Sequence, residues 1–334
     1  MAKPAIPAIV AMVAVLGLSA CSAQYRTHGY VPSEEDLQEI VPGVDTRGTV
    51  EDVIGVPSAS GVANDGAFYY IESEMRHFAW QAPEEINREV LAVSFDPDGG
   101  RYSVRHAAGA EDLARAQALR GWAFLGPDGP PDVDAFDPLC RHVLIEDMAE
   151  GTLLACFRYL WLDDGAAIGT SYSGQSYDLS RLEGFGGPML ELGRFCLRPG
   201  CGDPDVLRLA WGAITGLVDA GDARLLFGCA SFAGTDPAPF APAFAHLAAR
   251  HLAPARWQIG RRAAETVGFP QQGADARRAM SLMPPLLRTY LGMGGWVSDH
   301  AVVDRTMKTL HVFTGVEVAA IPPARARALR AIAG

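Results

Sequence analysis

Residues 188–230 read PMLELGRFCLRPGCGDPDVLRLAWGAITGLVDAGDARLLFGCA, and the fold turns on them. Met189 to Leu197 is a mostly apolar run of strand length, and Leu225 to Cys229 is another. Between them Asp203 to Asp219 carries apolar residues at helical spacing, with Asp203 as N-cap and Pro204 at the first helical position. A strand, a loop, a helix and a second strand predict an α/β fold: a mixed sheet with flanking helices.

Upstream of this unit, Tyr102 to His106 reads as a strand and Glu111 to Gly121 as a helix with Leu113, Ala116 and Leu119 on one side. His142 to Glu146 and Leu153 to Leu160 read as a hairpin about Gly151. A polar stretch spans 163–180. Downstream, the 282–287 segment with Pro284-Pro285 and the LGMGGW run at 291–296 read as core, as the lining of an acyl groove or as a surface that meets the membrane. Ala324 to Ala333 reads as a basic helix, either solvated or lying on anionic lipid.

Pro97-Asp98-Gly99-Gly100 is a turn-rich seam that splits the chain into 22–98 and 101–334. Before it, Ser33 caps a short helix and a second helix begins near Thr46, with Val50, Val53 and Ile54 on one side. Gly43 ends the first and Gly55-Val56-Pro57 the second. Strands follow at Ala67 to Ile71 and Glu89 to Phe95, making a small α+β module. Its acidic residues read as a solvated surface.

With 49% hydrophobic and 20% charged residues, the 334-residue chain is neither disordered nor fibrous. The net charge of −11 is concentrated early. Residues 1–100 hold 15 acidic and 5 basic side chains, and the remainder holds 24 and 23. An acidic chain of this kind excludes a long nucleic-acid tract, so no nucleic-acid partner is expected.

Several charges sit in apolar strands, where they need partners or a task. Glu191 and Arg194 lie three apart in ELGRF, so a regular strand would point them to opposite faces. A bulge, which Gly193 permits, would bring them together. Arg158 stands among Leu154, Cys156, Tyr159 and Leu160. Asp134 and Asp137 flank Phe136 and read either as a loop cap or as site residues. Gly200 and Gly202 let the loop before Asp203 approach a phosphate at the helix N-terminus; a plain βα turn is the alternative. The loop is neither a P-loop nor a GxGxxG fingerprint, and Ser231 lacks the nucleophile-elbow context. His142, His246, His251, His300 and His311 form no Ser-His-Asp order. Cys140, Cys156, Cys196, Cys201 and Cys229 show no zinc spacing, so no metal is expected. They read as buried thiols, with a Cys196–Cys201 pair left open.

Three resemblances add to this. The uncharged 5–20 run behind Lys3, ending in LSAC at 18–21, resembles a bacterial lipobox, which implies a signal over 1–21 and lipidation at Cys21. HGYVPSEEDLQEIVPGVDTRGTVEDVIGVPS (28–58) with FYYIESEMRHFAWQAPEEINREVLAVSFD (68–96) resembles the SmpA/OmlA family, the BamE lipoprotein of the outer-membrane β-barrel assembly machinery. That implies a periplasmic binding module with the assembly complex as partner. A third strand of that family is missing after Asp98 unless 101–105 supplies it.

The segments LCRHVLIED (139–147), SYDLSRLEGFGGPMLELGRFCLRP (176–199), LLFGCASFAGTDPAPF (225–240) and MPPLLRTYLGMGGWVSDHAVVD (283–304) resemble the L-ornithine Nα-acyltransferase family. The resemblance implies a GNAT-like domain over 101–334. It further implies transfer of a 3-hydroxyacyl chain from acyl carrier protein to the α-amine of L-ornithine, giving lyso-ornithine lipid. The co-substrate is then a phosphopantetheine thioester, and no other cofactor is implied. The core is similar to acyl-homoserine-lactone synthases, whose pattern is met by Arg120 and Phe124, by Asp134, Asp137 and His142, by Arg158, and by Glu191 with Arg194.

In that likeness Arg120, Phe124, Asp134, Asp137 and Arg158 bind substrate, and Glu191 is the expected base with Arg194 beside it. Arg194 or Arg158 would clamp a carboxylate. Arg198, Gly200, Gly202 and Asp203 would hold the phosphopantetheine, and Asp236 and Asp299 would be candidates for the distal amine, an Asp-Pro turn being the alternative for Asp236. A lipobox sends the chain to the periplasm, whereas acyl carrier protein is cytoplasmic. The alternative function is therefore an assembly lipoprotein with an acyltransferase-like passenger.

Overall fold

The computed structural model describes residues 24–40, 45, 47–60, 68–77, 82–93, 102–270 and 276–333. The expected leader with Cys21, the helix stop at Gly43 and the 97–100 seam lie outside them. The chain divides into two units, Met1–Leu37 with Glu51–Pro97 and Gln38–Val50 with Asp98–Gly334.

The first unit is built on a small antiparallel sheet of β1 (Gln24–Gly29), β2 (Ala59–Ser60), β3 (Phe68–His77) and β4 (Glu84–Val93). Strand β3 is central: β1 and β2 follow one another along one edge and β4 pairs along the other. The two short helices α1 (Glu34–Gln38) and α2 (Arg47–Ile54) precede β2. The Ser33 hydroxyl accepts from the Asp36 N–H at 3.2 Å, as a cap does. Gly55, at φ +85°, ends α2 in the left-handed region. Its carbonyl accepts from the Tyr70 hydroxyl at 2.8 Å, so the buried Tyr70 ties sheet to helix end. Both long strands reach further than their apolar stretches predict, because charged residues continue them and pair across, Arg76 with Glu84.

One expectation is corrected here. Residues 102–106 add no strand to this sheet; β5 (Tyr102–His106) pairs instead with β6 (Arg141–Asp147) in the large sheet. The further strand of the small sheet is β1, ahead of the helices.

The second unit continues with α3 (Ala110–Leu125), the β6–β7 hairpin with β7 at Leu153–Leu162, and β8 (Tyr177–Asp178) among short 3₁₀ turns. Then come β9 (Met189–Leu197), α4 (Pro204–Ala220), β10 (Leu225–Ala233) and α5 (Ala241–Arg250). The chain finishes with β11 (Gly260–Arg261), β12 (Thr266–Gly268), α6 (Ala276–Leu282), α7 (Pro285–Gly292), β13 (Trp296–Val297), β14 (His300–Asp304), β15 (Thr309–Glu317) and α8 (Pro323–Ala333).

The large sheet runs β12-β14-β15-β10-β9-β7-β6-β5, with β13 also on β15. Its one parallel pair among the described strands is β9 with β10, the two strands that α4 joins, as a helical crossover requires. Alternation sorts the faces. Val143 and Ile145 pack with Trp211, Ile214 and Val218 of α4, whereas Leu144 packs with Ala116 and Leu119 of α3. Asp203 accepts from the Asp205 N–H at 2.9 Å, confirming the expected cap and Pro204 start. Helix α8 lays Leu329 into the α4 core, and a Cβ on Gly212 would stand 2.9 Å from Ile332, so its apolar side is packed. Cys196 faces Cys156 across β9 and β7, Sγ to Sγ 3.6 Å, and is a free thiol, so the open Cys196–Cys201 pair is not formed. Among the described residues no helix is long and apolar enough to cross a membrane.

Candidate active site

Two departures from regular sheet geometry create the site. The first is a bulge in β9. Cys156 pairs with Cys196 and Arg158 with Gly193, so two steps along β7 oppose three along β9. Arg194 takes up the difference at φ +52°, a left-handed conformation unusual for an arginine. The bulge brings Glu191 and Arg194 to the wall of one cavity.

The second departure is a splay. β9 and β10 pair only over Met189–Leu192 and Leu225–Gly228, although both run on, to Leu197 and Ala233. Gly228 marks the last close approach, for a Cβ there would lie 2.3 Å from the Leu192 carbonyl oxygen. Beyond it a cavity of about 370 Å³ is lined by Gly193, Arg194 and Phe195 of β9 and by Cys229, Ala230 and Ser231 of β10.

Arg194 belongs to a network of three arginines and three aspartates. Arg120, 1% exposed, reaches Asp132 and Asp137 at 2.8 Å each. Arg158 reaches Asp134 and Asp137 at 2.6 Å each, and Arg194 reaches Asp132 at 2.8 Å and Asp134 at 3.0 Å. Burial alone would raise the Asp134 and Asp137 carboxyls. Their guanidinium partners outweigh it and hold both below the usual carboxylate range. The five expected residues Arg120, Arg158, Arg194, Asp134 and Asp137 are therefore together, but bound chiefly to one another. Asp132, in the Pro-rich loop, completes the balance and carried no sequence signal. Of this set, Arg158 and Arg194 line the cavity, as does Phe124.

Glu191 is 4% exposed and accepts three hydrogen bonds, from the Tyr172 N–H at 2.9 Å, the Ser173 N–H at 2.8 Å and the Ser173 hydroxyl at 2.6 Å. Burial pushes its carboxyl upward against these donors. In this geometry it fixes the 172–173 turn, which places the Tyr172 ring 4.9 Å from the Arg194 guanidinium. Two thiols on the wall are protonated groups: burial raises Cys140 to about 11 and Cys229 to about 12, so neither is a thiolate nucleophile at neutral pH.

Arg198, Gly200, Gly202 and Asp203 do not line the cavity. Arg198 stacks 4.8 Å over Trp122 and donates to the Leu153 carbonyl at 3.3 Å. Asp203 spends one oxygen on its own helix and accepts from the Tyr102 hydroxyl with the other. Asp236 accepts from the Ala238 N–H and Asp299 contacts His300, and both lie off the cavity.

Two wall residues come from strands far along the chain. Asp304, on β14, accepts from the Thr306 and Met307 N–H groups through Oδ1, and among the described residues its other oxygen accepts none. His311, on β15, is 4% exposed, and burial draws its imidazole down to about 4. Their positions depend on sheet register, Val302 opposite His311 and Asp304 opposite Thr309, which no local spacing reveals. Pro284, Pro285, Leu286 and Tyr290 form an apolar wall, so the 282–287 segment is part groove and part core, with Met283 and Leu287 buried. In the LGMGGW run Leu291, Met293 and Trp296 are core.

Residues 125–212 match the acetyltransferase (GNAT) domain, and residues 29–103 match the outer membrane protein assembly factor BamE domain. The L-ornithine N(alpha)-acyltransferase of Rhodobacter capsulatus is 34% identical over 227 residues, which span 63% of this chain and 88% of that protein. Those of Brucella abortus and Rhizobium meliloti are 28% and 27% identical over 83% and 84% of their lengths. The GNAT match ends within α4, so Cys229, Asp304 and His311 lie outside it. The chain belongs to the L-ornithine N(alpha)-acyltransferase family and is an N-acyltransferase that carries a BamE domain ahead of its catalytic part.

Proposed function

We propose that the protein transfers a 3-hydroxyacyl chain from acyl carrier protein to the α-amine of L-ornithine, yielding lyso-ornithine lipid. The observation that carries the reading is the cavity at the β9–β10 splay. It joins an apolar wall at Pro284, Pro285, Leu286 and Tyr290 to a polar wall at Arg194, Asp304 and His311. A relative 34% identical that bears the name of this activity supports the acceptor.

Each end of ornithine has a counterpart. Arg194 commits Nε and Nη2 to aspartates and also hydrogen-bonds the Tyr172 side chain, so the substrate carboxylate is placed at Nη1 beside the Tyr172 hydroxyl. Both terminal nitrogens of Arg158 are committed to Asp134 and Asp137, so Arg158 acts by holding the network. Asp304 keeps one oxygen for the distal ammonium. An extended phosphopantetheine arm suits the splay, where backbone groups of β9 and β10 that no longer face one another can bond it as a strand would. The acyl chain then lies along the apolar wall. The 198–203 loop, close to the end of β9, remains our candidate for the phosphate.

The test is a matrix of donors and acceptors with the purified full chain. Acylation of L-ornithine by 3-hydroxyacyl carrier protein, with loss of at least tenfold when norvaline replaces ornithine, is the expected result. Loss of that preference in Asp304→Asn would place the distal amine at Asp304. Equal use of norvaline by the wild type would overturn that placement.

The BamE domain favours one addition: that Cys21 is acylated and keeps the enzyme at a membrane, where its amphiphilic product partitions. Shift of Cys21→Ser from the membrane to the soluble fraction tests it. The side of the membrane is read separately, by protease access in intact cells. Access from the periplasm would favour the assembly-lipoprotein reading, since the carrier is cytoplasmic.

A further inference from the structure

We infer that His311, not Glu191, is the group that takes the proton from the attacking α-amine, and that Tyr177 is the positioning residue that holds His311 in the form able to do so. The inference rests on the acyl-transfer reading above and deepens it.

The Tyr177 hydroxyl has a single proton. It lies 2.7 Å from the His311 carbonyl oxygen, which can only accept, and 3.1 Å from His311 Nδ1. We assign that proton to the nearer acceptor, the carbonyl; Nδ1 then carries its own hydrogen and donates it to the phenol oxygen. That tautomer puts the free lone pair on Nε2, for which no protein partner is present among the described residues, in a side chain that lines the cavity. The phenol is itself fixed, with the His300, His311 and Phe313 rings all within 6 Å of its own. Burial keeps the imidazole neutral at physiological pH, with Arg194 and His300 adding to the effect and Asp304 opposing it.

The alternatives on the same wall are occupied. Both Glu191 oxygens already accept from the 172–173 turn. Asp304 is engaged through one oxygen and suits a cation through the other, and the thiols are protonated.

The step balances without another reactant. The neutral amine's lone pair forms the C–N bond at the thioester carbonyl, and the π pair moves to oxygen. As that bond forms, nitrogen turns acidic and its proton passes to His311 Nε2. Collapse of the oxyanion breaks the C–S bond; sulfur leaves with the pair and receives the proton from the imidazolium. An amide, a free carrier thiol and neutral His311 remain.

The experiment uses the full chain with L-ornithine and 3-hydroxyacyl carrier protein. His311→Gln preserves volume, and its fold is checked by circular dichroism. It is expected to lower kcat by about 10²–10⁴-fold, the usual contribution of a general base, with KM for ornithine within about threefold. Added imidazoles should restore His311→Ala in proportion to their basicity, which a merely space-filling role would not produce. Tyr177→Phe should lower kcat by roughly tenfold with KM unchanged, on the same physical ground. A His311→Gln variant within about threefold of wild-type kcat, or rescue independent of basicity, would overturn the assignment. If the wild type ignores ornithine but acylates another amine, the substrate reading fails and His311 is judged on that amine. A wild type inactive on every amine would overturn both.

Discussion

Arg194 joins the two halves of the site's logic: its backbone makes the bulge and its guanidinium closes the ion network. A non-glycine residue at positive φ costs about 1–2 kcal/mol, which the Asp132 and Asp134 contacts and the Tyr172 ring offset. Arg194→Gly should therefore keep the bulge and lose the charge. The expected outcome is a KM for ornithine raised at least tenfold with a small change in urea midpoint, whereas Arg194→Ala should lose in both. A KM unchanged in the glycine variant would remove Arg194 from substrate binding. Residues such as Glu191, Arg194 and Arg158 could be found in the sequence because a charge in an apolar strand is conspicuous. Asp132, Tyr172, Asp304 and His311 could not. They lie in loops or in strands more than a hundred residues from β9, and only the completed sheet sets them beside it.

At the scale of elements, the β9–α4–β10 unit was readable because its periodicity and its Asp203–Pro204 start agree. Its ends were less so. β10 runs on to Ala233 because β15 pairs with it there, a tertiary fact. Strand β1, QYRTHG, is exposed at every position, so no apolar alternation announced it. The splay itself was illegible, since nothing local says where two strands stop pairing. Gly228 is the residue on which it depends. Gly228→Ala would force the Leu192 carbonyl away and is expected to destabilise the unit by roughly 1–3 kcal/mol. It should also lower kcat more than Gly216→Ala, a helical site with nothing within 4 Å. Equal effects of the two substitutions, read by thermal melts and product assays, would contradict the splay as the origin of the cavity.

At the scale of the whole molecule, a core built around three arginines and three aspartates makes folding depend on pH. Asp134 and Asp137 have carboxyls lowered in the folded state. Their stabilisation is thus complete above the unfolded value of about 3.9 and is lost as pH falls through the folded one. His311 and His251 add a second window: burial draws both folded imidazoles down to about 4, so stability falls as pH drops from about 6.5 toward 4. Urea midpoints should decline through both windows, and His311→Gln should make the upper one shallower without touching the lower, His251 keeping part of the slope; an unchanged upper slope in that variant would contradict the buried neutral imidazole. The same molecule carries a BamE domain and an acyltransferase, so its chemistry and its address must be measured separately. The most direct test of the chemistry is nitrogen NMR of the product formed from ornithine labelled at the α-amine, with 3-hydroxyacyl carrier protein and the full chain. The label is expected to move into an amide with the distal amine left free; a labelled amine left free, or no acylated ornithine from folded protein and intact donor, would overturn the proposed reaction.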